Sequence, residues 1–246
     1  MLLHMSSIAI IIPCFNEAGR LDKTSFSSFL SAYPTRTLLF VDDGSTDTTA
    51  AWIEDLKKEV PGQVLSIHLG TNQGKASAIA AGISHCLRTV NRFDFIGYLD
   101  ADLSVSLEEM QRICTIVEQE QLDYGFGSRI KRLNATIDRS SFRHITGRII
   151  ATIIDSRFRL GIYDTQCGAK LFNTRLAAIV IDKKFITRWL FDIEIFLRIQ
   201  REYPSAKGAE IPLLAWRSKK GSKLGVLQAG VIGREILRLF NHYPVK

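Results

Sequence analysis

Residues 7–17 read SIAIIIPCFNE, an apolar run that ends in a polar turn. The run is too short to span a bilayer and no basic segment precedes it, so we expect neither a membrane anchor nor a signal peptide here. A continuous apolar run of this length is typical of a strand buried on both faces of a parallel sheet. The stretch therefore predicts a first strand, Ile8–Ile12, with polar residues at its carboxyl end.

The same alternation continues through the first half of the chain. Short apolar runs precede longer segments of helical period, and the predicted strand and helix pairs are Ile8–Ile12 and Leu21–Tyr33, Leu38–Val41 and Thr46–Val60, Val64–Leu69 and Lys75–Val90, and Phe95–Leu99 and Leu107–Glu120. Four such units predict an α/β fold of Rossmann-like type, in which a mostly parallel sheet carries helices on both faces. Ligands bind such sheets at the carboxyl ends of the strands.

Beyond Tyr124 the pattern is less regular. The predicted elements are a long helix from about Ser140, a strand at Ala169–Phe172, a helix at about Leu190–Tyr203, a strand at Glu210–Ala215 and a terminal helix at about Val226–His242. A chain of 246 residues is still within the size that one hydrophobic core can serve. We therefore expect a single domain, residues 1–246.

The charge of the chain is divided unevenly between its halves. Residues 1–123 contain 9 Lys and Arg against 16 Asp and Glu, whereas residues 124–246 contain 23 against 9. An acidic half suits contacts with a metal ion and a ribose, and a basic half suits phosphates, anionic lipid or nucleic acid. The alternative is that both halves simply present solvated charged faces.

The four cysteines stand far apart, with no CxxC pair and no histidine at ligand spacing; they are Cys14, Cys86, Cys114 and Cys167. This arrangement argues against a zinc site and against a disulfide framework. We expect the cysteines to be reduced and the protein to be cytoplasmic.

Polar residues follow the first two predicted strands. The turn Pro13-Cys14-Phe15-Asn16-Glu17 closes the first strand and is predicted to open the first helix. Asp42 and Asp43 follow the second strand, and because adjacent carboxylates repel each other they need hydrogen-bond donors or a cation, which a base and a ribose could supply. The structural alternative is a helix cap at Ser45 or Thr46, with Asp47 in the first turn.

Polar residues and a glycine also follow the third predicted strand, in the stretch Asn72-Gln73-Gly74-Lys75. Gly74 allows a close approach of the backbone, and Lys75 places a cation at a helix start, where the helix dipole disfavours it. Lys75 is therefore predicted to face an anion or the pair Asp42 and Asp43. The alternative is a solvated lysine.

The fourth strand ends in an Asp-x-Asp sequence. At the two-residue period of an extended chain, Asp100 and Asp102 would project to the same side and form a clamp for a hard cation. Mg²⁺ or Mn²⁺ would suit such oxygen ligands, bridged to a diphosphate.

This ordered set of motifs resembles the family-2 glycosyltransferases of the GT-A fold, over roughly residues 8–216. The resemblance implies a nucleotide-sugar and metal-binding half, 7–123, and an acceptor-binding half, 124–246. It implies that Asp100 and Asp102 are metal ligands, with Asp102 carrying most of the coordination. The residues that it assigns to the nucleotide sugar are Pro13, Phe15, Glu17, Asp42, Asp43, Gly74, Lys75 and Asp100.

Three motifs of the second half resemble one subfamily of these glycosyltransferases in particular. The stretches 127–129 (GSR), 164–170 (DTQCGAK) and 188–194 (RWLFDIE) look like those of the polyprenyl-phosphate hexosyltransferases, and the last two look most like dolichyl-phosphate glucosyltransferases. The resemblance implies UDP-glucose as donor and a lipid phosphate as acceptor. This sequence departs from the family at Ser104, where the mannosyl branch has another polar ligand, and in lacking the anchor that many relatives carry.

The resemblance also implies a role for Asp192, which lies at the start of a predicted helix, where this family often places its base. If the acceptor is a hydroxyl, Asp192 must take its proton as the catalytic base. If the acceptor is a lipid phosphate, which is already anionic, Asp192 can instead orient sugar hydroxyls while basic residues hold the phosphate. The predicted acceptor residues are Ser128, Arg129, Arg143, Asp164 and Gln166. Alternatively, Asp164 has no contact with the acceptor and simply forms a turn.

The C-terminal segment is basic and then amphipathic. Residues 216–223 read WRSKKGSK, and the helix that follows could lie on an anionic membrane as a peripheral contact, pack on its own domain, or join a homodimer. Two alternatives to the lipid-phosphate transferase stay open: a family-2 transferase that acts on a saccharide or another hydroxyl, and a non-enzymatic module that binds anionic surfaces. We expect no nucleic-acid partner.

Overall fold

The computed structural model describes residues 6–89, 92–138, 141–217 and 226–244, without the side chains of 141–143 and 226–229. In the first half every predicted strand and helix is present. The elements are β1 Ile8–Cys14, α1 Lys23–Ala32, β2 Arg36–Asp42, α2 Thr49–Glu59, β3 Val64–His68, α3 Lys75–Arg88, β4 Phe95–Leu99 and α4 Leu107–Gln119. The interior of β1 and all of β2 are buried, as a strand covered on both faces requires.

The second half contains the five predicted elements and four more. Its elements are β5 Tyr124–Ser128, β6 Thr136–Asp138, α5 Ser141–Phe158, β7 Ala169–Asn173, α6 Thr174–Ile181, α7 Phe191–Glu202, β8 Gly208–Pro212, β9 Ala215–Arg217 and α8 Val226–His242. The sequence patterns missed β5, β6, α6 and β9. The predicted strand Glu210–Ala215 is wrong in its extent, because β8 ends at Pro212, which has no N–H to donate to a ladder, and a separate strand begins at Ala215.

Within the described residues, seven strands form one sheet in the order β3-β2-β1-β4-β7-β5-β8, and β6 pairs with β9. The sheet is parallel except for β7, which runs antiparallel to both of its neighbours. Ala169, the first residue of β7, is therefore paired with Leu99, the last residue of β4. This reversal brings the loop that precedes β7 to the carboxyl edge of the parallel strands.

Helices cover both faces of the sheet, as predicted. One apolar cluster packs α1, α2 and α4 on one face, and a second packs α3, α6 and α7 on the other. A third cluster joins α5, α7 and α8 and includes Leu239, which is fully buried. The terminal helix α8 thus packs on its own domain, one of the alternatives left open by the sequence. The basic residues 218–223 lie outside the described part of the chain.

Two local predictions about helix starts are wrong. The turn at Pro13–Glu17 does not open a helix, because α1 begins only at Lys23 and is capped by Asp22. Ser45 and Thr46 do not cap α2 either. The N-cap residue is Thr48, whose side chain forms no capping bond, and the preceding Asp47 accepts the backbone N–H of Thr49 through Oδ1 at 2.9 Å. Asp47 can accept this bond because it lies just before the helix, where backbone N–H groups lack partners within the helix.

The four cysteines are free, as predicted from their spacing, and all four are buried. Burial raises the pKa of the thiols of Cys86, Cys114 and Cys167 to about 12, which keeps them protonated near neutral pH. None of the helices in the described ranges is both long enough and apolar enough to cross a bilayer.

Candidate active site

A cleft of about 580 Å³ lies at the carboxyl edge of the sheet. Its floor comes from the ends of β1, β2 and β4 and from the loops before α3 and β7. Its walls come from α5, the start of α7 and α8. The charged side chains that line it are Glu17, Asp43, Lys75, Asp100, Asp102, Arg129, Arg188 and Asp192. The site predicted at the strand ends is therefore one continuous cavity.

The two adjacent carboxylates after β2 face different surroundings. Asp43 lines the cleft, but its two oxygens accept the backbone N–H groups of Gln73 at 2.8 Å and Gly74 at 2.7 Å. Asp42 does not line the cleft: it accepts the N–H of Ser45 at 3.0 Å and contacts His68 at 3.3 Å. The prediction that Asp42 binds the nucleotide sugar is contradicted, because successive side chains of a strand point to opposite sides.

The turn after β1 is fixed to the loop after β2. Asn16 has a φ of +55°, and its Oδ1 accepts the N–H of Thr46 at 2.8 Å. Pro13, Phe15 and Glu17 line the cleft, as predicted, and Phe15 is 42% exposed. Burial raises the pKa of Glu17. Arg20 opposes this rise, and the nearby carboxylates Asp102 and Asp100 add to it.

The Asp-x-Asp segment is a turn and not an extended strand end. Leu103 has a φ of +50° and donates its N–H to the carbonyl of Asp100 at 3.1 Å. Ser104 bonds the carboxylate of Asp102 through its N–H and its hydroxyl, both at 2.9 Å. The argument from a period of two was therefore wrong, yet Asp100 and Asp102 both line the cleft.

Lys75 faces Asp100. Its Nζ lies 2.5 Å from Oδ1 of Asp100, and each side chain is 36% exposed. Burial lowers the pKa of Lys75, but the carboxylates of Asp100 and Asp192 outweigh burial, so the pKa is raised overall. The prediction that Lys75 faces an anion is confirmed, whereas the pair Asp42 and Asp43 is not its partner.

Two glycines allow close approaches in the cleft. Gly168, just before β7, leaves no room for a Cβ, because that atom would overlap the carboxylate of Asp100. Gly74 has a φ of +91°, a conformation that a side chain disfavours, and a Cβ there would lie 3.3 Å from Nε of Arg188. The glycine of the 164–170 motif thus makes space for the carboxylate of the β4 motif.

The carboxylates of Asp100 and Asp102 fit a divalent cation. Their oxygens are the hard ligands that Mg²⁺ and Mn²⁺ take, and Mg²⁺ is usually held by one or two carboxylates together with phosphates and waters. The described residues contain no group of three or more His, Cys, Asp or Glu side chains that could hold a metal ion by themselves. The chemistry of this pair therefore matches an ion shared with a diphosphate.

Asp192 lines the same cleft, at the first turn of α7. The side chain is 5% exposed, and its Oδ1 accepts both the Tyr98 hydroxyl and, at 2.7 Å, the Lys170 ammonium. Burial raises the pKa of Tyr98 well above its usual value, and Asp192 adds to the effect, so the phenol stays a hydrogen-bond donor. Sequence reasoning missed Lys170, although a lysine inside the short apolar strand AKLF was a usable signal.

The predicted acceptor residues do not all reach the cleft. Arg129 and Gln166 line it. Arg129 forms a two-point ion pair with Asp164, with both nitrogen to oxygen distances at 2.7 Å, so Asp164 acts by holding Arg129. Ser128 is fully buried and donates to Glu210 at 2.6 Å, which contradicts its assignment to the acceptor. The side chain of Arg143 lies outside the described part of the structure.

Two carboxylates missed by the sequence analysis hold loops beside the cleft. Glu210 accepts the N–H groups of Tyr163 at 2.8 Å and Asp164 at 2.7 Å. Glu235 of α8 accepts three successive N–H groups, those of residues 188–190, each at 2.9 Å. Because these contacts span more than 40 residues of sequence, no local pattern could have identified them.

The remaining lining of the cleft is aromatic and aliphatic. Trp189 is 44% exposed, and the guanidinium of Arg129 lies 5.6 Å from the ring centre of Trp216. Ile150 of α5 and Ile232 of α8 complete this side. One half of the cleft is therefore carboxylate-rich, and the other combines a cation with apolar surface.

This sheet order and this cleft define a GT-A glycosyltransferase. The chain belongs to Glycosyl transferase family 2, whose sequence profile matches residues 9–178. It is 28% identical to a dolichyl-phosphate beta-glucosyltransferase of Dictyostelium discoideum over 96% of this chain and 74% of the relative. It is also 28% identical to the enzyme of that name from Saccharomyces cerevisiae, over 89% of this chain and 69% of the relative.

Solved structures share the fold. Glucosyl-3-phosphoglycerate synthase from Mycobacterium tuberculosis, in complex with phosphoglyceric acid, superposes with a TM-score of 0.71 at 14% identity, over 98% of this chain and 81% of that chain. The same enzyme with Mn²⁺, UDP and glucosyl-3-phosphoglycerate gives 0.66 over the same shares, also at 14% identity. At this identity the likeness establishes the fold alone.

Proposed function

We propose that the protein is an inverting hexosyltransferase that moves glucose from UDP-glucose to a polyprenyl or dolichyl phosphate. The observation that carries the proposal is the cleft in which strand-end carboxylates face a cation and apolar side chains. A nucleotide sugar suits the first side and a lipid phosphate suits the second. The names of two relatives, both dolichyl-phosphate beta-glucosyltransferases, support transfer of glucose to a dolichyl phosphate.

On the donor side, the turn Pro13–Glu17 and the carboxylate of Asp100 are placed to contact the nucleotide. Asp43 acts indirectly, since both of its oxygens are taken by the loop at Gln73 and Gly74. Lys75 lies within reach of the diphosphate if it leaves Asp100. Both carboxylates of the β4 turn would hold Mg²⁺ or Mn²⁺, and such an ion, when bound, stabilises the charge that develops on the leaving diphosphate.

On the acceptor side, Arg129 holds the lipid phosphate. Its hydrogen bonds to the described residues use Nε and Nη2, so Nη1 can donate to a phosphate oxygen. Asp164 fixes the guanidinium, and the contact with Trp216 keeps its plane against the wall of the cleft. The aliphatic residues Ile150 and Ile232 suit the first isoprene units of the acceptor.

A donor and acceptor screen tests the proposal. Purified protein with Mn²⁺ is incubated with UDP-glucose, UDP-galactose, UDP-GlcNAc or GDP-mannose, with and without a polyprenyl phosphate, and released nucleotide is measured. We expect release from UDP-glucose to rise on addition of the lipid phosphate. The same rise with the unphosphorylated polyprenol would contradict a phosphate acceptor, and a preference for GDP-mannose would contradict the donor.

A hydroxyl acceptor is the second candidate, because the carboxylate of Asp192 lines the cleft. With a hydroxyl, Asp192→Asn removes the base and lowers the rate by about 10²–10⁴. With a lipid phosphate, no proton need be removed, and the variant keeps substantial turnover. Donor affinity is measured in parallel, since a lost contact to sugar hydroxyls would weaken UDP-glucose binding and could imitate the loss of a base.

Peripheral contact with the cytoplasmic face of a membrane, and a homodimer, stay predictions. The packing of α8 on its own domain leaves Leu237 of that helix 62% exposed. Flotation with anionic vesicles tests the first prediction, and light scattering of the purified protein tests the second.

A further inference from the structure

Lys170 is a charged side chain with no exposure to solvent. Its Nζ lies 2.7 Å from Oδ1 of Asp192 and 2.7 Å from the carbonyl oxygen of Cys167. The rings of Tyr98 and Phe196 lie 5.5 and 5.4 Å from the same nitrogen. A buried ammonium is costly unless it is paired and hydrogen-bonded, so these contacts fix its position.

The carboxylate of Asp192 is held from one side. Lys170 and the Tyr98 hydroxyl both donate to Oδ1, and within the described residues the hydrogen bonds to this carboxylate all go to that oxygen. Asp192 nevertheless lines the cleft. The anchored oxygen therefore leaves Oδ2 as the one that faces a substrate.

Lys170 also joins Asp192 to the loop before β7. The Cys167 carbonyl that it binds precedes Gly168, and Gly168 packs on the Asp100 carboxylate. One buried cation thus fixes the start of α7 relative to the loop that meets the Asp-x-Asp turn. A small displacement of a reacting or orienting group costs large factors in rate.

We propose that Lys170 is a positioning residue for the transfer reaction, which it serves by anchoring Oδ1 of Asp192 and presenting Oδ2 to the cleft. The inference rests on the proposed function, because it requires that Asp192 acts on a substrate bound in this cleft. It does not depend on the chemical class of the acceptor. The neutral hydroxyl of Tyr98 donates a hydrogen bond to the same oxygen, Oδ1 of Asp192.

A double-mutant cycle tests the proposal. Lys170→Met is made in the wild-type protein and in the Asp192→Asn background, and kcat is measured from UDP released from UDP-glucose. We expect Lys170→Met to lower kcat in the wild type by about 10-fold, and by no more than Asp192→Asn does, because Lys170 acts through that carboxylate. In the Asp192→Asn background the same change should alter kcat by less than about twofold, because the group through which Lys170 acts is gone.

Tyr98→Phe provides a second variant that leaves no buried charge unpaired. We expect a smaller loss of kcat, about threefold, that also disappears in the Asp192→Asn background. If Lys170→Met fails to fold, this variant decides the question alone. Losses of equal size in both backgrounds, for either variant, would show a general structural role and overturn the proposal.

The matched control is Arg198→Met. Arg198 forms another buried ion pair on α7, with Glu194 at 2.7 Å, and neither residue lines the cleft. The control should lower stability and leave kcat per folded molecule unchanged. An equal fall in kcat for Arg198→Met would also contradict the proposal.

The assay distinguishes a wrong acceptor from a wrong role for Lys170. Release of UDP to water needs no added acceptor, so the cycle is read from hydrolysis as well as from transfer. If the wild type does not transfer to lipid phosphate, the proposed acceptor is wrong, and the cycle read from hydrolysis still decides the role of Lys170.

Discussion

Two lysine and aspartate pairs lie beside the ring of Tyr98, with Lys75 Nζ 5.9 Å and Lys170 Nζ 5.5 Å from its centre, and they differ in burial. Lys75 and Asp100 are each 36% exposed. Lys170 and Asp192 are 0% and 7% exposed. Both pairs have nitrogen to oxygen distances below 3 Å, so geometry alone does not distinguish them.

The difference in burial assigns the pairs different tasks. The pair of Lys75 and Asp100 is partly exposed, so solvent screens it, and a diphosphate or a metal ion can open it at a lower cost than a buried pair. Breaking a buried pair by removing one partner costs about 3–5 kcal/mol. We therefore expect the pair of Lys170 and Asp192 to stay closed throughout the reaction, whereas the pair of Lys75 and Asp100 can exchange partners.

The largest expected effect is a contrast in stability between the two lysines. Lys170→Met should lower the free energy of unfolding by about 3–5 kcal/mol, because it leaves a buried carboxylate unpaired. Lys75→Met should lower it by a smaller amount, because solvent screens that partly exposed pair. Urea denaturation of both variants measures the contrast, and losses of similar size would remove the distinction drawn above.

The next effect concerns the donor side. Asp102→Asn should reduce turnover more than about 100-fold, since removal of even an indirect partner of a metal site costs 10- to 100-fold. The fold should persist because Asp102 lies in a partly exposed turn. UDP release is measured across a Mn²⁺ titration, with Asp55→Asn, an exposed carboxylate of α2, as the control. Wild-type activity at saturating Mn²⁺ would contradict the assignment of Asp102 to the metal.

A third ion pair, Arg129 with Asp164, is 14% and 6% exposed and lies between the two extremes. Arg129→Ala should weaken use of the acceptor by roughly 1.5–3 kcal/mol, the value of a charge-assisted contact, and leave KM for UDP-glucose within about twofold. Separate titrations of donor and acceptor measure this. Equal losses for both substrates would place Arg129 on the nucleotide side.

The smallest effect belongs to the exposed contacts of His68. Its ring lies 3.0 Å from Glu54 and 3.3 Å from Asp42. The bond to Glu54 raises the pKa of His68, burial opposes this, and Asp42 adds to it. Stability from this histidine is therefore complete below its ordinary pKa of 6.5 and is lost as the pH rises through the raised value.

The partner of His68 behaves in the opposite direction. The Ser66 hydroxyl and then His68 lower the pKa of Glu54 from 4.5 to about 2, so its contribution is present above 4.5 and is lost as the pH falls towards 2. His68→Gln should remove the stability change near neutral pH, which solvent screening limits to less than about 1 kcal/mol. Thermal melts at several pH values test this, and an unchanged slope in the variant would assign it to another group.

The donor half could be predicted from sequence because its signals are local. In each unit from β1 to α4, a short apolar run is followed directly by a polar strand end and then by a segment of helical period. Units of parallel strand and helix can be arranged in only a few ways. The polar strand ends were correctly expected to meet at one edge. The acceptor half was predicted less well because β5 alternates with glycine and β6 has only three residues.

The sequence by itself determined the fold class, the edge of the sheet that carries the site and the residue types gathered there. Only the tertiary structure decided which carboxylates face the cleft and which cation each one meets. The insertion of β7 in the antiparallel sense places Gly168 on Asp100 and Lys170 on Asp192. The physical reason is that strand and helix periods are set by neighbours in the chain, whereas ion-pair partners 22 or more residues apart are set by how the elements pack.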